Sequence, residues 1–231
     1  RKSALEELLE RDAVLVHWLT QTPMTRISLD GCPTWLSQWI VTEFRDDPRE
    51  RRLEVLVSTR GHVPAVTTVF IDKDGHATAS HAVGETLEKA TFRALIETCR
   101  IAQIALEGHS TEHAQVLSDP MIEERATPED HAVFYAVHEK LPEWIFGSHR
   151  DWNKMSRQWK DRVRAFNPKT FPHEFHLVVQ GPLCVGFCTS DHIQNLFFGR
   201  TDRAIQNGWV NLPRLKSVQS SKAINLRPHW V

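Results

Sequence analysis

Apolar side chains recur at spacings of three and four through Leu5, Leu8, Leu9, Ala13 and Val16, which predicts a helix over residues 3 to 20 that Pro23 brings to an end. A loop around Asp30-Gly31-Cys32-Pro33 follows, then a short tryptophan-rich helix through Trp35, Leu36, Trp39, Ile40 and Val41, then a charged turn from Asp46 to Arg52. Leu53–Val57 and Ala65–Ile71 are β-branched and apolar, and read as strands. Asp72-Lys73-Asp74-Gly75 carries the Asp-Gly turn signal, so His76–Val83 is expected to return as a hairpin strand. The period is helical again from Glu85 to Leu106. Beyond a polar loop from Ser110 to Pro128, Thr127 is the expected N-cap, and Pro128 the first turn, of a helix over Glu129–Phe146. A basic helix over residues 148 to 166 carries Trp152, Arg157, Trp159, Lys160, Arg162 and Arg164. Strands at Glu174–Val179 and Leu183–Cys188 meet at Gln180-Gly181-Pro182, and the last forty residues read as irregular and polar. Hairpins with helices grouped between them predict an α+β fold, with antiparallel hairpin-containing sheets packed against helices rather than a doubly wound sheet.

Composition narrows the function classes. The 231 residues carry 28 Lys+Arg against 29 Asp+Glu, a net charge of −1 that leaves no electrostatic footprint for nucleic acid or an anionic membrane. No apolar run approaches the roughly 18 residues of a membrane helix. Four cysteines do not make a disulfide scaffold, so a reducing cytoplasm is expected, and Cys184 and Cys188 sit in an apolar run that suits packing better than zinc. The chain opens Arg1-Lys2-Ser3-Ala4 and runs at once into a helical pattern, from which a piece of a longer polypeptide is expected, one lacking its N-terminal part.

Two segments could carry chemistry. Glu7 and Glu10 lie three apart on one helix face, and Glu7 faces Arg11 four residues on. Two carboxylates beside an apolar stripe suit a Mg²⁺ ion that completes its shell with water and phosphate oxygens. They equally suit a solvated acidic face held by Glu–Arg pairs. In the helix over Glu85–Leu106, Arg93, Glu97, Arg100 and Gln103 form one narrow polar line on an otherwise apolar cylinder. That line is either an intrahelical Arg–Glu–Arg ladder or the wall of a charged-ligand site. His109 and His113 sit four apart with no third ligand nearby, and Asp130 with His131 opens a helix, where a capping role is the default. No Gly-rich phosphate loop and no Gly-x-Ser-x-Gly elbow is present.

Taken together these segments resemble one family, the YcaO proteins, ATP-dependent enzymes that activate backbone amides. Glu7-Leu8-Leu9-Glu10-Arg11-Asp12-Ala13, followed by His17-Trp18, resembles the family's Ser-x-x-Glu-x-x-Glu-Arg nucleotide motif. Val63-Pro64-Ala65-Val66 resembles the approach to its hairpin strand, and Ala90-Thr91-Phe92-Arg93-Ala94-Leu95-Ile96-Glu97 its second ATP-site helix. Thr127-Pro128-Glu129-Asp130-His131 with Tyr135 resembles the helix after that, and Asn225-Leu226-Arg227-Pro228-His229 the approach to its C-terminus.

The resemblance implies a YcaO-like domain over residues 1–231, comprising an acidic helix at 3–20, a sheet and second ATP-site helix at 53–107, and a helical and C-terminal part at 127–231. It implies ATP and Mg²⁺ as cofactors, with Glu7, Glu10 and Glu97 as metal ligands and Arg11 and Arg100 as further nucleotide contacts; it names no catalytic residue. The implied reaction phosphorylates a peptide amide oxygen, and attack by a neighbouring Cys, Ser or Thr side chain then leaves an azoline. Thioamide formation with a sulfide-delivering partner, and a catalytically degenerate scaffold or leader-peptide binder, are the alternatives. The implied partners are a precursor peptide and a leader-peptide-binding protein, with a homodimer as a further option. Three departures bear on this choice: Ala4 stands where the motif has Ser, Arg100 where the second helix has Gln, and the chain ends Pro228-His229-Trp230-Val231 without alternating prolines.

Overall fold

The computed structural model describes residues 2–44, 51–61, 63–106, 127–137, 139–180, 183–194, 201–218 and 224–225. Helix α1 (Lys2–Thr20) leads into β1 (Met24–Ile27) and α2 (Thr34–Phe44). Strands β2 (Arg52–Val57), β3 (Ala65–Ile71) and β4 (Ala77–Val83) precede the long helix α3 (Leu87–Leu106). Next come α4 (Pro128–Val137), a 3-10 turn at Glu143–Ile145, β5 (Phe146–Arg150) and α5 (Trp152–Ala165). A hairpin of β6 (Glu174–Gln180) and β7 (Leu183–Thr189), then α6 (Thr201–Gln206) and α7 (Leu212–Val218), complete the described elements.

Five strands form one sheet in the order β4-β3-β2-β1-β5, while β6 and β7 pair separately. The fold is α+β as expected, with one difference: β1 and β5 run parallel inside an otherwise antiparallel sheet. Alternate residues of a strand face opposite sides. Leu56, Val69, Ile71, Ala77 and Ala79 therefore meet Leu15, Trp18 and Leu19 of α1 and Phe134 and Tyr135 of α4. Val55, Val57, Val66, Phe70 and Ala82 turn the other way onto Leu87, Ala90, Ala94 and Leu95 of α3, and onto Leu36, Trp152 and Trp159. Helices cover both faces, so every residue of β3 and β4 is buried.

Several local expectations are corrected. The helix expected to reach Phe146 ends at Val137, because Pro142 cannot continue it and Phe146–Arg150 pairs with β1 instead. The helix expected from residue 148 starts at Trp152, where Asp151 Oδ1 accepts the Lys154 N–H at 2.9 Å as N-cap. The stretch after Pro23, read as loop, holds β1, and the irregular tail contains α6 and α7. Thr127 and Asp130 form a reciprocal cap on α4: the Thr127 N–H and hydroxyl reach Asp130 Oδ2 at 2.5 and 2.8 Å, and the Asp130 N–H reaches Thr127 Oγ1 at 3.3 Å. Cys188 is buried against Leu5, Leu8 and Leu9 of α1, a packing role. The charged turn at 46–50, the loop with His109 and His113, the Gly181-Pro182 turn and the motif residues 226–229 lie outside the described residues.

β4 is an edge strand, and its end positions everything that follows. After Val83 the chain must turn at once into α3. A Cβ on Gly84 would stand 2.6 Å from the Ala90 nitrogen and 3.1 Å from Thr86 O, so only glycine lets the first turn of α3 close on the strand. Two histidines are buried beside α1. His17 Nε2 lies 3.0 Å from Ser58 Oγ and Nδ1 3.0 Å from Thr22 O, and burial pushes its pKa down to about 4. His81 on β4 is lowered to about 3, first by burial and then by the nearby charge of Arg11.

Two predictions follow from this packing. Gly84→Ala should destabilise the protein by about 1–3 kcal/mol through the forced overlap with α3, read as a fall in denaturation midpoint. The depressed histidines stabilise the fold above pH 6.5, and that contribution is lost as the pH falls towards 4 for His17 and 3 for His81. Between pH 6 and 4.5, His17→Gln should therefore flatten the stability–pH curve by about 1.4 kcal/mol per pH unit, measured by chemical denaturation. Parallel curves for the two proteins would mean that His17 titrates normally in the folded state.

Candidate functional site

Helix α1 lies on one face of the sheet and α3 on the other, and the two meet at the end of β4. Val83 is where they are tied. Its N–H donates to Glu10 Oε2 of α1 at 3.1 Å, and its carbonyl accepts from Arg93 Nη1 of α3 at 3.1 Å. Arg93 also pairs with Glu6 of α1 at 3.6 Å, which closes the bridge between the helices.

The carboxylates expected to form the site gather here. Glu10 is half-buried, and its carboxyl is pushed up to about 8. Loss of water is the main cause; the Glu7 charge raises it further and so does Glu97, while Arg11 and the Val83 N–H pull it down. Glu97 of α3 is thus electrostatically coupled to Glu10 across the strand end.

The rim is laid out differently from the centre. Glu7, largely exposed, accepts from Arg11 Nε at 2.9 Å and forms an ion pair with the same guanidinium. Glu97 accepts from Arg100 Nη1 at 2.9 and 3.1 Å, on an exposed strip of α3. So Glu6, Glu7 and Glu97 each have an arginine, whereas Glu10 has no ion-pair partner among the described residues. Arg100 stands beside Glu97, the intrahelical ladder rather than a free wall. No three His, Cys, Asp or Glu side chains stand together as a formed metal cage among the described residues.

The donor set nevertheless suits Mg²⁺ and a nucleotide. It is built from carboxylate oxygens, and loss of water together with the Glu7 and Glu97 charges pushes the carboxyl of Glu10 up to about 8; a divalent cation is the species that would favour its ionised form. Arg11, Arg93 and Arg100 around the same point are of the sign that phosphate requires.

Arg93, on the polar line expected from the sequence, completes the tie between helices with Glu6 rather than laddering with Glu97. The sequence reading assigned no role to three residues, Glu6, Asp12 and His81. Asp12, one residue past Arg11, turns inward and is held by Arg214 Nε at 3.2 Å and Nη2 at 2.8 Å, with the Gln194 N–H at 2.7 Å. Alternation along β4 places His81 on the α1 side, a signal that was available in the sequence.

Comparison with known proteins bears on the family and the fold. A family model described as YcaO cyclodehydratase, ATP- and Mg²⁺-binding, matches residues 2–172. A search of curated proteins found no match. Among solved structures, a heterocyclase in complex with substrate and cofactor matches with a TM-score of 0.59 and 16% identity, over 98% of this chain and 31% of that one. The heterocyclase TruD is 27% identical over 48% of this chain and 16% of its own, with a TM-score of 0.37. A chain of the E. coli microcin synthetase McbBCD complex is 14% identical over 83% of this chain and 51% of its own, with a TM-score of 0.43. The chain therefore spans from 16% to 51% of the length of these proteins. Among the described residues no helix is long and apolar enough to cross a membrane. With the family model covering most of its length, the chain belongs to the YcaO family, whose cofactors are ATP and Mg²⁺.

Proposed function

We propose that this protein uses ATP to activate peptide backbone amides by phosphorylation, forming azoline rings in a ribosomally made precursor peptide in the cytoplasm. The observation that carries the reading is the half-buried Glu10, bound to the Val83 N–H without an ion-pair partner among the described residues and raised by Glu7 and Glu97 where α1 and α3 converge. Glu10, Glu7 and Glu97 would hold Mg²⁺, and Arg11 and Arg100 would face the nucleotide. When bound, Mg-ATP supplies the phosphoryl group that turns a poor oxide leaving group into phosphate.

The chain's own residues do the rest. Glu10, whose carboxyl is pushed up to about 8, would give up its proton to a bound cation, so the site would acquire its full negative charge only where that charge is neutralised. The Val83 N–H keeps one Glu10 oxygen fixed, and the carboxylate so oriented would be the one to hold the metal. Arg93, bound to the Val83 carbonyl and to Glu6, holds α3 against α1, so Glu97 does not drift from Glu10. The whole protein is expected to work on its precursor peptide with a leader-peptide-binding partner, or as a homodimer.

One contact favours a second reading. The Arg100–Glu97 pair partly neutralises a carboxylate that the metal would use, which suits a degenerate YcaO scaffold or leader-peptide binder. A thioamide product, made with a sulfide-delivering partner, uses the same activated amide.

Substitution separates these readings. In the full-length protein, Glu97→Gln should cut peptide-dependent phosphate release by orders of magnitude; an unchanged rate would make Glu97 a surface carboxylate. Arg100→Gln should weaken Mg-ATP binding several-fold by titration calorimetry, because a phosphate contact is lost. Stronger binding would instead show that Arg100 only neutralises Glu97 and would favour the scaffold reading, as would a parent protein that binds no Mg-ATP at all.

A further inference from the structure

A second concavity lies on the neighbouring face of α1. It has a volume of about 630 Å³, within the range of ligand sites, and its lining includes Gly61, Arg162, Phe166, Asn167, Phe171 and His192. Its floor is apolar and firmly placed. Phe166 and Phe171 meet edge to face at 5.9 Å and pack on Leu5, Leu8 and Leu9 of α1.

Its rim is cationic. Arg162 Nη1 donates to the Thr59 carbonyl at 2.8 Å, and the guanidinium lies over the Trp159 ring, 4.9 Å from its centroid. That fixes a positive charge against the 59–61 loop without a carboxylate partner among the described residues. Arg60, next to Gly61 in the same loop, is partly buried and makes no side-chain hydrogen bond or ion pair among the described residues. Burial and the charge of Arg214 both work against its ionised form. Arg214 is itself committed to Asp12. Arg162 is thus a positive charge in the lining with no carboxylate against it among the described residues, an imbalance that an incoming anion would relieve.

We propose that this cleft docks a carboxylate-bearing segment of the substrate peptide, with the carboxylate held by Arg162 and Arg60 and an adjacent apolar side chain laid on Phe166 and Phe171. This rests on the reading that the protein acts on a peptide. Charge and chemistry select the occupant. Among the described residues the lining holds no Asp or Glu to receive the Mg²⁺ that a nucleotide triphosphate brings, whereas the carboxylate cluster is near Val83. The planar forks of arginine match a carboxylate, and the phenyl floor suits an apolar neighbour. Since the floor is built on α1, a peptide held there lies along the same helix that carries Glu7 and Glu10.

Fluorescence anisotropy on the full-length protein tests this with a labelled tetrapeptide ending in Phe-Glu amide and its Phe-Gln counterpart. The acidic peptide should bind about tenfold more tightly or better, in keeping with a charge-assisted hydrogen bond. Arg162→Gln and Arg60→Gln should each remove that preference without changing Mg-ATP affinity or the melting temperature. Arg162→Lys, which keeps the charge, should retain part of it and guards against misfolding of the Gln variant. Equal binding of the two peptides, or a preference that survives both Gln variants, overturns the proposal. So does displacement of the peptide by Mg-ATP, or a loss of ATP affinity in the variants, because the arginines then serve the nucleotide. If the acidic peptide binds as expected but no peptide stimulates phosphate release, the cleft stands and the amide-activation reading falls.

Discussion

Val83 carries the constraint on which the rest depends. As the last residue of an edge strand, it turns both backbone groups away from β3, and a half-buried edge cannot leave them unsatisfied. Many proteins cover such an edge with another strand or a loop. Here one side chain from each flanking helix does it, Glu10 from α1 and Arg93 from α3. The solution locks two helices on opposite faces of the sheet to a single point. It also brings a carboxylate into a place where water is scarce, and the chemistry of the site follows from that.

The charges around that point are arranged by depth. The outer acids are each matched by an arginine: Glu7 by Arg11, Glu97 by Arg100, Glu6 by Arg93. Exposed pairs of this kind add little stability, but they keep the rim from repelling itself apart. Glu10 at the centre is raised to about 8, and two of the rim carboxylates contribute to that rise. The folded protein therefore disfavours the ionised form of Glu10, and a cation would restore it. Three balanced pairs around one unbalanced acid make a better argument for a cation site than the bare count of carboxylates does.

Much of this was legible because it is local. The apolar spacing of Leu5, Leu8, Leu9, Ala13 and Val16 is a helix signal that burial then enforces, and the Glu97–Arg100 pair follows from helical periodicity alone. The motif resemblance brought Glu7, Glu10 and Glu97 together before any fold existed. The tie through Val83 was not legible, since it depends on which strand becomes the edge, and no pattern within β4 announces that. Nor was Asp12–Arg214, whose partners are 202 residues apart. Strand β5 was hidden for another reason: Phe146-Gly147-Ser148-His149-Arg150 has no alternation and is a strand because β1 pairs with it.

The acidic run of α1 also shows why motif position alone does not rank its carboxylates. Successive helical residues are rotated by about 100°, so Glu10 and Asp12 point to different sides of one helix although both belong to the same short motif. Asp12 faces α7 and is answered in full by the Arg214 fork and the Gln194 N–H, so its charge is spent on holding the C-terminal helices to α1. Glu7 faces outward and shares its charge with Arg11 one turn later. Only Glu10 faces the strand end, where it receives one backbone N–H and no cation from the described residues. Of the three acids, it alone has an unmet demand for positive charge. In a family that binds Mg²⁺ with ATP, that demand singles out Glu10 as the acid with most to gain from the metal.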